Sequence, residues 1–227
     1  LQEYASRTVA MDVVERYDVK NPRLASLFLA RCMASSGREL SVNKVYNEFK
    51  SRQISVSRNT LSDLLEYYED AYLLFSVPEF TRSLANNTRS ASKVYAVDPA
   101  MFGAFSPASA LDHGQRLETA VFNALRRRTP AVRPGSVCRL LIKDKNKSHE
   151  VDFVAGDALL MQAYGLIQVS VDMTSEKTRE REIAALDAAM AQFDLGESVI
   201  VTMDEQADIP CEHGVVHVVP AWKWLLA

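Results

Sequence analysis

Three oxygen-bearing side chains stand on consecutive elements in the second half of the chain. Glu118 sits beside Leu117, Val121, Phe122 and Leu125, Asp152 lies in Glu150-Val151-Asp152-Phe153, and Gln168 lies in Ile167-Gln168-Val169. Magnesium-dependent cleavage of a phosphodiester needs hard oxygen ligands gathered round one point, which side chains on adjacent strands and a neighbouring helix can supply. Asp152 and Gln168 stand on successive strands, and Glu118 on the preceding helix could lean over the sheet edge toward them. Plainer roles compete. Asp152 between two apolar residues would face solvent by strand alternation, and Glu118 would cover a helix surface.

A second set of residues suits a nucleic-acid backbone. Arg58, Asn59 and Thr60 open a helix, and Arg82, Arg89 and Lys93 lie in a stretch with no acidic residue between Thr81 and Val97. These cations would give salt-sensitive, non-specific contact with phosphates. Asp63, Glu66, Glu69 and Asp70 follow on the same helix and favour protein docking instead. Arg126, Arg127 and Arg128 end a helix, where the macrodipole alone accounts for them. The Arg179-Glu180-Arg181-Glu182 run reads as a solvated helix start with alternating charge. His113, His149, His213 and His217 are scattered, and His213 and His217 are expected to bind no metal.

The elements that must position these groups fall into two parts. Residues 1–20 read as a helical connector, with Val9, Val13 and Tyr17 at helix-compatible spacing. Pro22 follows Asn21 at a helix start, Ser41 caps a second helix (Val42, Val45, Tyr46, Phe49), and Ser57 caps a third (Leu61, Leu64, Leu65, Tyr68). Tyr72–Val77 and Lys93–Val97 read as strands joined by a polar loop. Three helices and a strand–loop–strand wing predict a winged helix-turn-helix over residues 21–105.

Residues 106–227 change character. Asp112 caps a helix to about Arg128, and strands follow at Val137–Lys143, Glu150–Ala155 and Leu159–Val171. A long helix spans Glu176–Phe193 with Ile183, Leu186, Met190 and Phe193 on one face. Short β-branched runs, Ser198–Met203 and Val215–Val219, precede Trp222, Trp224 and Leu225. This order predicts an α/β (α+β) sandwich with a mixed central sheet.

With 227 residues, 48% of them hydrophobic, the chain can bury a core, and its net charge of −3 argues against wholesale coating of nucleic acid. No apolar run reaches the roughly 20 residues that span a bilayer. Cys32, Cys138 and Cys211 lack ligand spacing, so reduced thiols in a cytoplasmic protein are expected. The chain opens on Leu1 inside a helical pattern and contains no GxxxxGK[ST] phosphate loop, so it reads as the tail of something longer.

Glu118 on a helix, then Glu-Val-Asp-Phe, then Ile-Gln-Val resembles the PD-(D/E)XK nuclease superfamily. More of the chain resembles the C-terminal region of bacterial and archaeal AAA-type ATPases, in which a P-loop domain precedes a winged helix and a nuclease-like domain of unknown function. The stretches that carry this are Val14–Tyr17, Asn21–Arg23, Asp63–Phe75, Lys93–Pro99, Arg116–Glu118, Arg179–Ile183 and Pro220–Leu226. The resemblance implies Glu118, Asp152 and Gln168 as metal ligands, with Mg²⁺ as the cofactor and ATP bound in the absent domain. It also implies a lysine where Ser170 stands. Serine brings no positive charge to the attacking water or the phosphate, and Gln168 is neutral. Lys143 or Lys145 could reach in from a neighbouring strand end to replace it. The expectation is a fragment that binds DNA or a protein partner and carries a degenerate nuclease-like site. The alternatives are an active Mg-dependent nuclease and a pure protein-docking module.

Overall fold

The computed structural model describes residues 1–82, 92–101, 105, 112–128, 136–143 and 148–227. Its contacts divide the chain into two compact units, one of residues 1–76 and 91–119, the other of 77–90 and 120–227.

The first unit begins with α1 (Gln2–Thr8), which runs into a π-helical stretch, Val9–Glu15. Ala5, Val9 and Val13 are buried there. Their spacing of four exceeds the 3.6-residue repeat, and the wider π turns keep such residues in line. Next come α2 (Pro22–Met33), β1 (Arg38–Glu39), α3 (Val42–Ser51), α4 (Arg58–Asp70), β2 (Leu74–Val77) and β3 (Lys93–Ala96). Each helix starts where a side-chain oxygen accepts an otherwise orphaned backbone N–H. Asn21 accepts from Leu24 N–H at 3.0 Å, Ser41 from Lys44 at 3.4 Å and Ser57 from Thr60 at 3.0 Å.

The helix–strand–helix–helix–strand–strand order is that of a winged helix, with its small sheet arranged β1-β3-β2. The two-residue β1 is too short to alternate and leaves no period to read, yet it pairs antiparallel with β3, Arg38 opposite Val94. Gly37 makes the corner at φ +73°, a conformation that glycine adopts without a Cβ clash. The core centres on Phe28, whose ring meets Phe49 edge-on at 6.3 Å and Tyr68 at 5.9 Å. Buried Tyr68 donates its hydroxyl proton to Ala25 O at 2.5 Å.

Helix α5 (His113–Arg128) gives its turns up to Thr119 to the first unit and the rest to the second. The second unit continues with β4 (Val137–Lys143), β5 (Ser148–Asp157), β6 (Gln162–Val169), α6 (Glu176–Phe193), β7 (Glu197–Thr202), β8 (Ala207–Pro210), β9 (Val215–Pro220) and α7 (Ala221–Leu226). The sheet order is β4-β5-β6-β7-β9-β8. β4, β5 and β6 form an antiparallel meander, while α6 carries the chain over so that β7 runs parallel to β6. β9 is also parallel to β7, and β8 closes the edge antiparallel. The sheet is therefore mixed. Phe153 stacks on Phe122 of α5 at 6.1 Å, whereas Gln168 bonds to α6. Phe153 pairs with Ile167, the neighbour of Gln168, so the two contacts lie on opposite faces and helices cover both.

Candidate functional site

The centre of interest is a buried polar chain on one face of the second unit's sheet. Asp152 on β5 is 8% exposed, Gln168 on β6 is 6% exposed and Glu182 on α6 is 3% exposed. The Gln168 amide joins all three elements. Its Oε1 accepts the Asp152 backbone N–H at 3.0 Å, and its Nε2 donates to Glu182 Oε2 at 2.6 Å. Asp152 Oδ2 accepts the Val169 N–H at 3.0 Å. Arg181 donates from Nε to Glu182 Oε1 at 3.2 Å, and its Nη2 touches the same oxygen. The hydrogen bond to Glu182 comes first among the causes that raise the Arg181 proton affinity, and the charges of Asp152 and Glu150 add to it.

Asp152 does not point to solvent as simple alternation would have it. It is inside, and its hydrogen bond to the β6 backbone compensates the burial. Ser170 sits where the resemblance implies a lysine, and its hydroxyl donates to Asp172 O at 2.7 Å. The cation beside these carboxylates is Arg181, from a run expected to be merely solvated. Its neighbour Glu182 is buried because it lies three and four residues before Ala185 and Leu186, on the stripe that α6 turns inward with Ala189 and Met190. The acidic character of Glu182 obscured that periodicity. Lys143 is exposed, and Lys145 lies outside the described residues.

Glu118 belongs to the first unit. Its Oε1 accepts the Lys93 ammonium at 3.1 Å and the Tyr95 hydroxyl at 2.7 Å. This corrects the expectation for Lys93, which is 8% exposed and ion-paired within the unit rather than displayed on a wing. Arg82 also departs from its expected role, because it belongs to the second unit and donates to Leu160 O at 3.2 Å. Arg89 lies outside the described residues. Arg58 and Asn59 are exposed at the start of α4.

A basic surface around the α3–α4 turn was only partly anticipated. The Arg58 guanidinium stands 4.8 Å over the Tyr46 ring, and exposed Lys50 follows Tyr46 by one turn on the same face of α3. Arg52 is exposed next to them. The Glu48 carboxylate between these residues is matched by Arg31 at 3.0 Å and Arg52 at 3.2 Å. Farther along α4, Tyr17 stacks on Tyr67 at 3.8 Å and donates to Asp70 at 2.7 Å, so part of the acidic end is engaged by the preceding segment. That hydrogen bond, followed by burial, raises the Tyr17 hydroxyl's proton affinity. Arg128 at the end of α5 lies 4.3 Å over the Trp224 ring, a packing role within the second unit.

Against this geometry the comparisons with known proteins are sparse. A family model for a domain of unknown function (DUF8612) matches residues 1–112. The whole chain aligns with an uncharacterised protein of Methanocaldococcus jannaschii at 31% identity over 232 residues, covering 49% of that protein. An uncharacterised protein of Haemophilus influenzae is 24% identical over 150 residues, 66% of this chain and 35% of its own length. The chain thus spans about half or less of the length of these relatives. No solved structure matches. Among the described residues no helix is long and apolar enough to cross a membrane.

Proposed function

We propose that this chain is a DNA-binding module in which a winged helix holds the duplex backbone and the nuclease-like unit no longer cuts. In the longer protein it would follow a P-loop ATPase domain of the AAA type and work in the cytoplasm. One observation supports the DNA reading above the others. Lys50, Arg52 and Arg58 cluster at the α3–α4 turn with exposed Asn47, Gln53 and Asn59, and Glu48 among them is already paired. Such a surface neutralises phosphates without reading bases.

The second unit supports loss of cutting. The order of a helix, an antiparallel three-strand meander, a crossover helix and a strand parallel to the third agrees with the resemblance to PD-(D/E)XK nucleases. The donor set fits Mg²⁺ poorly. The Gln168 oxygen accepts a backbone N–H, Glu182 is bound by an amide and a guanidinium, and Ser170 is turned to a carbonyl. Mg²⁺ demands near-octahedral oxygen ligands, and these groups serve each other instead.

The test is incubation of plasmid and branched DNA with the chain in Mg²⁺ or Mn²⁺, beside a gel-shift titration. The expected result is a shift without cutting, identical in Asp152→Ala. Cutting that disappears in Asp152→Ala would establish an active nuclease and overturn the reading. Exposed Asp63 and Glu66 favour a second reading, protein docking through α4, and the absence of any DNA shift at low salt would move the assignment there.

A further inference from the structure

The β8–β9 turn, distant in sequence from the residues above, gathers a mixed set of metal-binding groups. Asp187 reaches it from the middle of α6, and the turn itself reads Cys211-Glu212-His213-Gly214. One ligand atom each of Asp187, Glu212 and His213 lies within 4.8 Å of the others. The Asp187 carboxylate is aimed by the turn, since its Oδ1 accepts the His213 backbone N–H at 2.9 Å and its Oδ2 lies 3.1 Å from His213 Nδ1. The Cys211 thiol donates to Gly214 O at 3.3 Å.

The turn is held firmly. Cys211 N–H donates to Gly214 O at 2.9 Å, and Val215 N–H donates to Gly196 O at 2.9 Å. A Cβ on residue 214 would stand 2.1 Å from Gly196 O, so only glycine lets the two backbones meet this closely.

We propose that Asp187, Glu212 and His213 bind one divalent transition-metal ion of the zinc class. The donors are one imidazole and two carboxylates, a nitrogen–oxygen set that suits zinc, with water as the fourth ligand, better than magnesium. Tetrahedral zinc with bonds of about 2.0–2.3 Å places its ligand atoms roughly 3.3–3.8 Å apart, so the exposed Glu212 and His213 side chains need only a small closing rotation. A plain Asp–His pair would account for two of the groups. Glu212 adds a second carboxylate to that pair and completes a three-ligand set. Glu212 and His213 are adjacent in the sequence, but the third ligand, Asp187, lies on a helix twenty-five residues upstream of Glu212, so the expectation that His213 binds no metal came from spacing that could not show the site.

The test is competition for Zn²⁺ against a chromophoric chelator, with Co²⁺ as a spectroscopic probe of the 227-residue chain. One equivalent of Zn²⁺ is expected to be held, and His213→Ala with Asp187→Asn should weaken it at least about tenfold. Bound Co²⁺ should show visible d–d bands that the His213→Ala, Asp187→Asn variant weakens and Cys211→Ser leaves in place, while circular dichroism confirms that each variant folds. Asp152→Ala should leave the uptake unchanged, which separates this site from the sheet carboxylates. The absence of stoichiometric uptake, or uptake unchanged in the variant carrying His213→Ala and Asp187→Asn, would overturn the proposal.

Discussion

Glu69 shows what burying a single carboxylate does in the first unit. Burial foremost pushes its carboxyl above the ordinary carboxylate range, against hydrogen bonds from the Ser76 side chain and backbone, and Oε1 is buried without a hydrogen-bond partner. The folded group therefore holds its proton more tightly than the unfolded chain does. Its contribution to stability is full below the ordinary carboxylate value and is lost as pH rises through the elevated folded value. Glu69→Gln should raise the melting temperature at pH 7, and the gain should shrink as pH falls through the carboxylate range. A gain independent of pH would contradict this. Asp152 and Gln168 were legible because each is a polar residue inside an apolar strand. Glu182 was not, because its charge disguised its place on the α6 stripe. Replacing it with alanine strands the Gln168 amide, and thermal or denaturant unfolding should show a loss of roughly 1–3 kcal/mol.

At the scale of elements, the sequence announced what is long and capped and hid what is short. Asn21, Ser41 and Ser57 marked three helix starts correctly because a cap is one residue with one job. β1 and β8 escaped because two and four residues carry no usable period, and their pairing is decided by distant partners. Lys93 illustrates the same gap in a side chain. Its position on a strand was readable, but the Glu118 carboxylate that binds it comes from another element and could not be seen. The β5–β6 hairpin offers a direct test, because a Cβ at Gly156 would fall 2.3 Å from Gln162 O. Gly156→Ala should therefore destabilise the second unit by about 1–3 kcal/mol in urea unfolding. Phe28→Ala should cost the first unit more, roughly 3–5 kcal/mol, since it empties the space between Phe49 and Tyr68.

For the molecule as a whole, an α/β architecture with a winged helix ahead of a mixed sheet was foreseeable from helix and strand order. What the order could not supply was the placement of charge. Two of the five residues nominated for DNA contact are engaged within the fold. Lys93 is ion-paired, Arg82 is engaged elsewhere, and Arg89 lies outside the described residues. Lys50 and Arg52 join Arg58 instead, through an α3–α4 juxtaposition that only folding creates. The measurement that bears most directly on this account is the salt dependence of duplex DNA binding, followed by fluorescence anisotropy. The chain should bind with an affinity that falls steeply as salt rises. The triple variant Lys50→Ala, Arg52→Ala, Arg58→Ala should bind more weakly, with the slope of log K against log salt reduced by roughly 2–3. An unchanged slope in that variant, or no binding by the parent chain at low salt, would contradict the central claim.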